Sequence, residues 1–332
     1  RTPALGALME SSLDVVGVGN AIVDVIATVD EGFIARHNLN KGGMTLIDAD
    51  RATSLYASMP AGIEASGGSA ANTMAGLASL GSNAAYLGKV RDDQLGEVFI
   101  RDLRATGVGF NVAPGTDGPP TARCLIQVTP DAERTMNTFL GISAMLSPDD
   151  IDESVVASAA ITYCEGYLWD MDIAKEAIRG AMAVAADAGR RVSLTLSDSF
   201  CVDRHREEWL DLLTNNVDLL FANEAEICAL FETDNFDVAA AKIGEMVEIS
   251  ALTRSSAGSV VVANGEQIVV PAATVTQVVD ATGAGDLYAA GFMHALANGA
   301  DLTRCAELGG IAAGEIISHI GARPHVALTS LV

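Results

Sequence analysis

The chain is short of positive charge and of aromatic rings, and it lacks the common nucleotide-binding fingerprints. Its 332 residues carry 20 Lys and Arg against 43 Asp and Glu, a formal net charge of −23. Nucleic acid and anionic membranes are held through basic patches, so neither is expected as a partner. Five cysteines (Cys124, Cys164, Cys201, Cys228, Cys305) are odd in number, far apart and without a Cys-x-x-Cys. They read as small core thiols in a reducing, cytoplasmic setting rather than a disulfide framework. The five histidines do not cluster with them as a zinc site would need. No apolar run reaches the ~18 residues that span a bilayer, and the first residues are too weakly apolar for a signal peptide. Residues 1–12 read as an N-terminal extension or an appended remnant.

Two nucleotide motifs start and fail. Gly17-Val18-Gly19 opens like a dinucleotide fingerprint, but Ile22 stands where the third glycine belongs. Gly88-Lys89 suggests a P-loop, yet Val90 takes the Ser/Thr position. A phosphate site must come from elsewhere.

The stretch Asp280-Ala281-Thr282-Gly283-Ala284-Gly285-Asp286 offers one. It follows a β-branched run (Val275, Val278, Val279) and precedes a helical pattern, so strand, glycine turn and helix are expected. The first turn of a helix leaves N–H groups unpaired at a positive dipole end, which attracts phosphate. Gly283 and Gly285 let a ligand approach the backbone, and Asp286 is placed to accept a proton from a hydroxyl. These parts suit phosphoryl transfer to an alcohol. The alternative is a plain helix start, with Thr282 as cap and Asp286 complementing the dipole.

With 49% hydrophobic and 19% charged residues the chain has the composition of a globular domain with a large core. Strands are expected near 13–19, 84–90, 159–165, 192–196, 217–222, 249–254, 259–263 and 268–270. Helices are expected over 69–80, 93–106, 172–188, 204–213, 224–231, 284–298 and 302–317. That alternation predicts an α/β, doubly wound, mostly parallel sheet flanked by helices. Alternating residues from 23 to 29, a run at 44–47 and a hairpin at 121–129 and 134–140 predict a small, mostly antiparallel second sheet.

Three motifs together resemble the ribokinase-like (phosphofructokinase-B type) family of carbohydrate and nucleoside kinases. Asp280 to Asp286 is similar to its C-terminal signature. Ser66-Gly67-Gly68-Ser69-Ala70-Ala71-Asn72, with Gly88 to Gly96, is similar to its N-terminal one, and Asn223-Glu224-Ala225-Glu226 to its Asn-x-x-Glu element. The resemblance runs from Gly17 onward and implies one kinase domain over 13–332, with segments about 23–64 and 111–141 forming a β-sheet lid.

Candidate site residues follow from motif and chemistry. Asn20 and Asp24 stand after the first strand, where α/β sheets place ligands; Asp24 can hold a vicinal diol, or simply face solvent. Their spacing resembles the adenosine kinase branch. Gly67, Gly68 and Asn72 open a helix toward the acceptor, or pack it with Ser66 or Ser69 as cap. Phe139, Tyr163, Tyr167 and Trp169 are candidates for an aromatic wall against a purine, with core packing as the alternative for Tyr163. Arg134 either closes over the transferring phosphoryl or is a solvated lid residue. Asn223, Thr253, Gly258, Thr282, Gly283, Gly285, Gly310 and Ala313 are implied for ATP, and Glu226 for Mg²⁺ held through water. Asp286 is the implied base, with the Gly283, Ala284 and Gly285 amides around the phosphoryl. The expected activity is phosphorylation of the 5′-hydroxyl of a ribonucleoside, adenosine first. A sugar kinase for ribose or fructose is one alternative, and a catalytically silent nucleoside or sugar binder another. A monovalent cation such as K⁺ and a homodimer stay open.

Overall fold

A computed structural model describes residues 12–131 and 133–332, so the expectation for residues 1–11 lies outside the described residues. The chain opens with β1 (Leu13–Val18), β2 (Ile22–Thr28), α1 (Glu31–Arg36), β3 (Met44–Leu46), α2 (Ala49–Ser58) and β4 (Ile63–Gly67). Next come α3 (Ser69–Ser79), β5 (Ala84–Leu87), α4 (Gln94–Ala105), β6 (Ala122–Val128), β7 (Arg134–Phe139), α5 (Glu153–Ser158) and β8 (Ala159–Glu165). The middle holds α6 (Asp172–Asp187), β9 (Arg191–Thr195), α7 (Ser199–Asn216), β10 (Leu219–Asn223), α8 (Glu224–Leu230) and α9 (Phe236–Ile243). It ends with β11 (Ile249–Thr253), β12 (Ser259–Ala263), β13 (Glu266–Val270), α10 (Ala284–Ala297) and α11 (Leu302–Ile316).

Eight strands form the large sheet in the order β13-β12-β11-β10-β9-β8-β1-β5, all running the same way except β12, which is antiparallel to both β11 and β13. Its strands are apolar on both faces because helices cover both. In β10, Leu219 and Phe221 enter one core with α3, α10 and α11, while Leu220 and Ala222 enter the other with α6 to α9. Burying each Leu or Phe side chain among them stabilises the fold by roughly 1.5–3 kcal/mol. Helices α10 and α11 approach closely because Gly291 and Gly309 carry no side chain: a Cβ on Gly291 would come within 2.4 Å of the Leu308 carbonyl. No helix among the described residues is long and apolar enough to cross a membrane.

The smaller sheet has five strands, ordered β3-β7-β6-β2-β4. It is not mostly antiparallel as expected. Pairs β2–β4 and β6–β7 are antiparallel, but β2–β6 and β3–β7 are parallel. Between β2 and β6 the chain passes through α3, β5 and α4, so part of the large layer acts as the crossover that parallel strands need. The expected strand before the glycine turn also does not form. Residues 271–283 run without strand structure, Val278 and Val279 are exposed, and the N–H of Val279 bonds the Ile317 carbonyl beyond α11. A β-branched run makes a strand only where a sheet edge is offered to it.

Candidate active site

The carboxyl ends of β1, β8, β9, β10 and β11 open on one side of the large sheet, and the smaller sheet covers part of that opening. A cavity of about 1490 Å³ results. Asn20, Glu165, Thr195, Asn223 and Thr253 reach it from the large sheet, and Asp24, Ile126, Met136 and Thr138 from the smaller one. Helices α3, α10 and α11 supply Asn72, Asp286 and Gly310.

The glycine turn lies between its two halves. Gly283 is the N-cap of α10 with φ +81°, and no side chain caps the helix, because the Thr282 hydroxyl donates instead to Asp280 (2.7 Å). A β-carbon at Gly283 would be strained by that φ and would stand 3.0 Å from the Ala322 Cβ. At Gly285 a Cβ would meet nothing within 4 Å, so the first turn faces open space. The Ala284 N–H is spent on the Ala281 carbonyl at 3.2 Å. The amides of Gly283, Gly285 and Asp286 have no acceptor among the described residues, so these three, rather than Gly283, Ala284 and Gly285, are the available anion donors.

Asp286 is held from α3. Ser69 Oγ donates to its Oδ1 at 2.6 Å and Asn72 Nδ2 to its Oδ2 at 3.0 Å. Thus neither Ser69 nor Ser66 caps α3; its N-cap is Gly68. Burial raises the Asp286 carboxyl above its ordinary range, opposed by those two bonds and by the charge of Arg323.

Strand alternation puts Asp24 on the cavity face of β2, with Val23 and Val25 buried behind. Its carboxylate makes no hydrogen bond among the described residues. Burial pushes it up to about 6, while Arg323 and Arg134 pull it down and Asp286 pushes it further up. Gly67 does not line the cavity but lies under this carboxylate: a Cβ there would come within 2.5 Å of it. Gly68, at φ +93°, does line it, and a Cβ there would meet the Asn20 carbonyl at 2.2 Å. Asn20 is buried, donating to Glu165 Oε1 (2.9 Å) and accepting from Ser143 (2.9 Å).

Glu165 escaped the sequence reading. It also accepts the Ala70 N–H at 2.9 Å, and burial pushes it up to about 7. Its signal was one carboxylate ending an otherwise uncharged strand, AAITYCE. Arg323, partly buried behind Gly67, was missed as well and has no local signal.

Phe139, Trp169 and Arg134 are placed differently from expectation, and Tyr163 takes its core-packing alternative. Phe139 points out of the cavity, because Met136 and Thr138 take the inward positions of β7; its ring faces Arg123 instead, 5.9 Å away. Trp169 is fully buried against Trp209, with centroids 4.7 Å apart, and Tyr163 packs edge-on to Phe221 in the core. The aromatic rings at the cavity are Tyr167, Phe200, Phe221 and Tyr288. Tyr167 is tied by its hydroxyl to the Ser197 carbonyl (3.1 Å), and Phe200, which the sequence reading also missed, is 72% exposed. Arg134 does not line the cavity. It is neither solvated nor free, since its guanidinium pairs with Asp280, and both side chains are largely buried.

The half of the cavity where ATP was expected is built by leaving space. Gly310, Ala313 and Gly314 of α11 face residues 271–275 across a cleft, while Gly309 is consumed by contact with Tyr288. Gly258, at φ +87°, lines the cavity too, and a Cβ there would strike the Val270 carbonyl. Asn223 and Glu226 form a capping box at the start of α8, with Glu226 Oε2 accepting the Asn223 N–H (2.9 Å) and Asn223 Oδ1 accepting the Glu226 N–H (2.9 Å). Burial, with the Asp198 charge nearby, pushes Glu226 up to about 7. The other Glu226 oxygen, Oε1, accepts from Asn223 Nδ2 (2.6 Å), both residues line the cavity, and no group of three metal-ligating side chains occurs among the described residues. This all-oxygen set fits a hydrated Mg²⁺ that takes few protein ligands, not a protein cage.

Known proteins agree with this architecture. Residues 38–327 match the profile of the pfkB family carbohydrate kinases. The crystal structure of adenosine kinase from Sinorhizobium meliloti is 51% identical, with a TM-score of 0.89 over 97% of this chain and 98% of that one. A probable sugar kinase protein from Rhizobium etli CFN 42 is 48% identical, with a TM-score of 0.90 over the same shares. An ATP-dependent ribose-1-phosphate kinase from Halopiger xanaduensis is 31% identical over 74% of this chain and 77% of its own length. On its sequence match and its ribokinase-like fold, the chain belongs to the pfkB family of carbohydrate kinases, as an adenosine kinase-like member.

Proposed function

We propose that the protein transfers the γ-phosphoryl group of ATP to the primary 5′-hydroxyl of a ribonucleoside, adenosine first among them. One observation carries the reading: Asp286 lines the same cavity as Asp24 and sits in the first turn of α10, where its own amide and those of Gly283 and Gly285 have no acceptor among the described residues. Asp286 accepts the proton of the 5′-hydroxyl as the alcohol oxygen bonds to the γ-phosphorus and the bond to the bridging oxygen breaks, releasing ADP. The amides of Gly283, Gly285 and Asp286 stabilise charge on the transferring oxygens. Arg134 contributes a guanidinium to that charge once it leaves Asp280.

Asp24, without a hydrogen-bond donor of its own, is suited to the ribose 2′- and 3′-hydroxyls. Tyr167 and Phe200 offer ring faces to a base. The similarity to an adenosine kinase at 51% identity supports a nucleoside over a free sugar. Glu226, with Asn223 and Asp198 beside it, would hold Mg²⁺ through water. Bound there, the ion supplies charge neutralisation at the β- and γ-phosphates. Segments 23–64 and 111–141 act as a lid that excludes water on closure.

Incubation of the protein with ATP, Mg²⁺ and a panel of nucleosides and sugars tests this. The expected product is a nucleoside 5′-monophosphate formed one for one with ADP. Product from ribose or fructose alone would make it a sugar kinase. Adenosine binding without any turnover would make it a silent binder.

A further inference from the structure

We infer that Arg323 is a positioning residue for this reaction: its guanidinium fork fixes the turn carrying Gly67 and Gly68 and the first turn of α3, and its charge serves Asp24 and Asp286. The inference rests on the roles proposed above for those two acids.

The guanidinium donates to the Ser66 carbonyl from Nη2 (2.9 Å) and Nε (3.3 Å), to Ser66 Oγ (2.9 Å) and, from Nη1, to the Ala71 carbonyl (2.7 Å). Each contact lies one residue from a site group. Ser66 precedes Gly67, whose missing side chain makes room for the Asp24 carboxylate. Ala71 precedes Asn72, which donates to Asp286. All the acceptors are neutral oxygens, so no carboxylate hydrogen bond cancels the guanidinium charge. The closest relay to an acid runs through Ser66, whose Oγ and N–H both donate to Asp102 Oδ2 at 2.7 Å.

The segment that delivers Arg323 is pinned along its length. The Gly321 N–H donates to Asp280 (3.0 Å), the His325 N–H to Glu315 (2.9 Å) and the Leu328 N–H to Ser79 Oγ (2.9 Å). Such anchoring prevents the guanidinium from turning out to solvent.

A fixed positive charge beside a carboxyl favours its ionised form. Asp24 faces Arg323, Arg134 of β7 and Asp286 of α10, and Cys124 on the paired strand β6, whose thiol burial pushes up to about 12 and so keeps neutral. Asp286 faces Arg323, the neutral donors Ser69 and Asn72 of α3, and Glu165 of β8, whose carboxyl it pushes up. Arg323 itself also faces Asp102 of α4 and Tyr86 of β5, a phenol that burial raises well above its ordinary range. Arg323 and Arg134 are thus the cations set against this group of acids.

The test uses Arg323→Met, which removes charge and fork, and Arg323→Lys, which keeps the charge but not the fork. Adenosine binding is titrated calorimetrically without ATP from pH 5.5 to 8.5, alongside kcat/KM. For Arg323→Met the acid limb should move upward by about one pH unit, so that the loss at pH 5.5 exceeds the loss at pH 8.5 by nearly tenfold, and the loss at pH 6.5 exceeds it by about threefold. For Arg323→Lys the limb should stay near its wild-type place while the acceptor KM rises and kcat at pH 8.5 is kept. A loss equal at every pH, or an unmoved limb in Arg323→Met, overturns the electrostatic role. A wild-type KM in Arg323→Lys overturns the fork, and this variant decides if Arg323→Met does not fold. Wild-type protein that neither binds nor phosphorylates adenosine would sink the functional reading and the inference together. Intact wild-type binding with no shift sinks the inference alone.

Discussion

The two halves of the cavity are made in opposite ways. The half proposed for the acceptor is crowded with polar side chains drawn from separate elements: Asn20, Asp24, Asn72, Glu165 and Asp286, from the end of β1 onward to α10. The half proposed for the nucleotide is mostly absence, with Gly310, Ala313 and Gly314 giving up side-chain volume and free backbone amides at the start of α10 as the proposed donors. Reading hydroxyls takes charged groups with matched lone pairs, while admitting a base and cradling phosphates takes space and exposed N–H groups. Substitutions should therefore act differently in the two halves.

The largest effect is expected at their junction. Asp286→Asn keeps the shape and removes the base, so kcat should fall about 10²- to 10⁴-fold, while ATP affinity measured by calorimetry stays near wild type. Unchanged turnover would remove Asp286 from the chemistry. Gly285→Val comes next. Its side chain enters open space, so thermal stability should change little, yet it fills the anion seat. A kcat loss of about 10²- to 10³-fold is expected, the cost of losing transition-state donors. Full activity would place the phosphoryl elsewhere.

In the nucleotide half, Gly310→Val and Ala313→Val should raise the KM for ATP and leave the acceptor KM alone. Steady-state kinetics with each substrate varied in turn checks this, and an equal rise in both would erase the distinction drawn here. Hydrogen exchange offers a smaller signal. Adenosine should slow exchange in 23–64 and 111–141, whereas protection confined to 283–286 would mean that the smaller sheet does not close.

The smallest effect concerns pH. Burial pushes Asp24 up to about 6 and Glu165 and Glu226 up to about 7. Each then binds its proton more tightly folded than unfolded, so each favours the folded state below its ordinary carboxyl range. That contribution is lost as pH rises through about 6 to 7. The melting temperature of the ligand-free protein should fall from pH 5 to pH 7.5 while activity rises. Parallel rises in both would contradict the assignment of these acids as buried and raised.

The same division decided what could be read from sequence. Most strands and helices of the large layer were legible because long apolar runs bounded by glycines leave few choices, but the short helices α5 and α9 were not expected. The glycine turn that opens α10 was legible because its glycines and acid lie within four residues. Helix α2 was not, with only Ala52 and Leu55 buried along it, though its Asp48 cap was a usable sign. Strand β4 was too short and polar to stand out. The aromatic wall failed for a different reason. Composition identified the rings, but period-two alternation sends Phe139 away from the face that Met136 and Thr138 share. Arg323 could not be found at all, because its meaning lies in contacts with Ser66 and Ala71, 257 and 252 residues away along the chain.

One competition experiment reaches the central claim most directly: kcat/KM for adenosine, 2′-deoxyadenosine and ribose, measured on wild-type protein and on Asp24→Ala. A lost hydrogen bond to a charged group costs about 1.5–3 kcal/mol, so wild type should prefer adenosine over its 2′-deoxy form by roughly ten- to a hundredfold. Asp24→Ala should bring the two nucleosides level, and ribose should trail both on wild type. Equal efficiency on ribose and adenosine, or a 2′-hydroxyl preference that survives Asp24→Ala, would contradict the account.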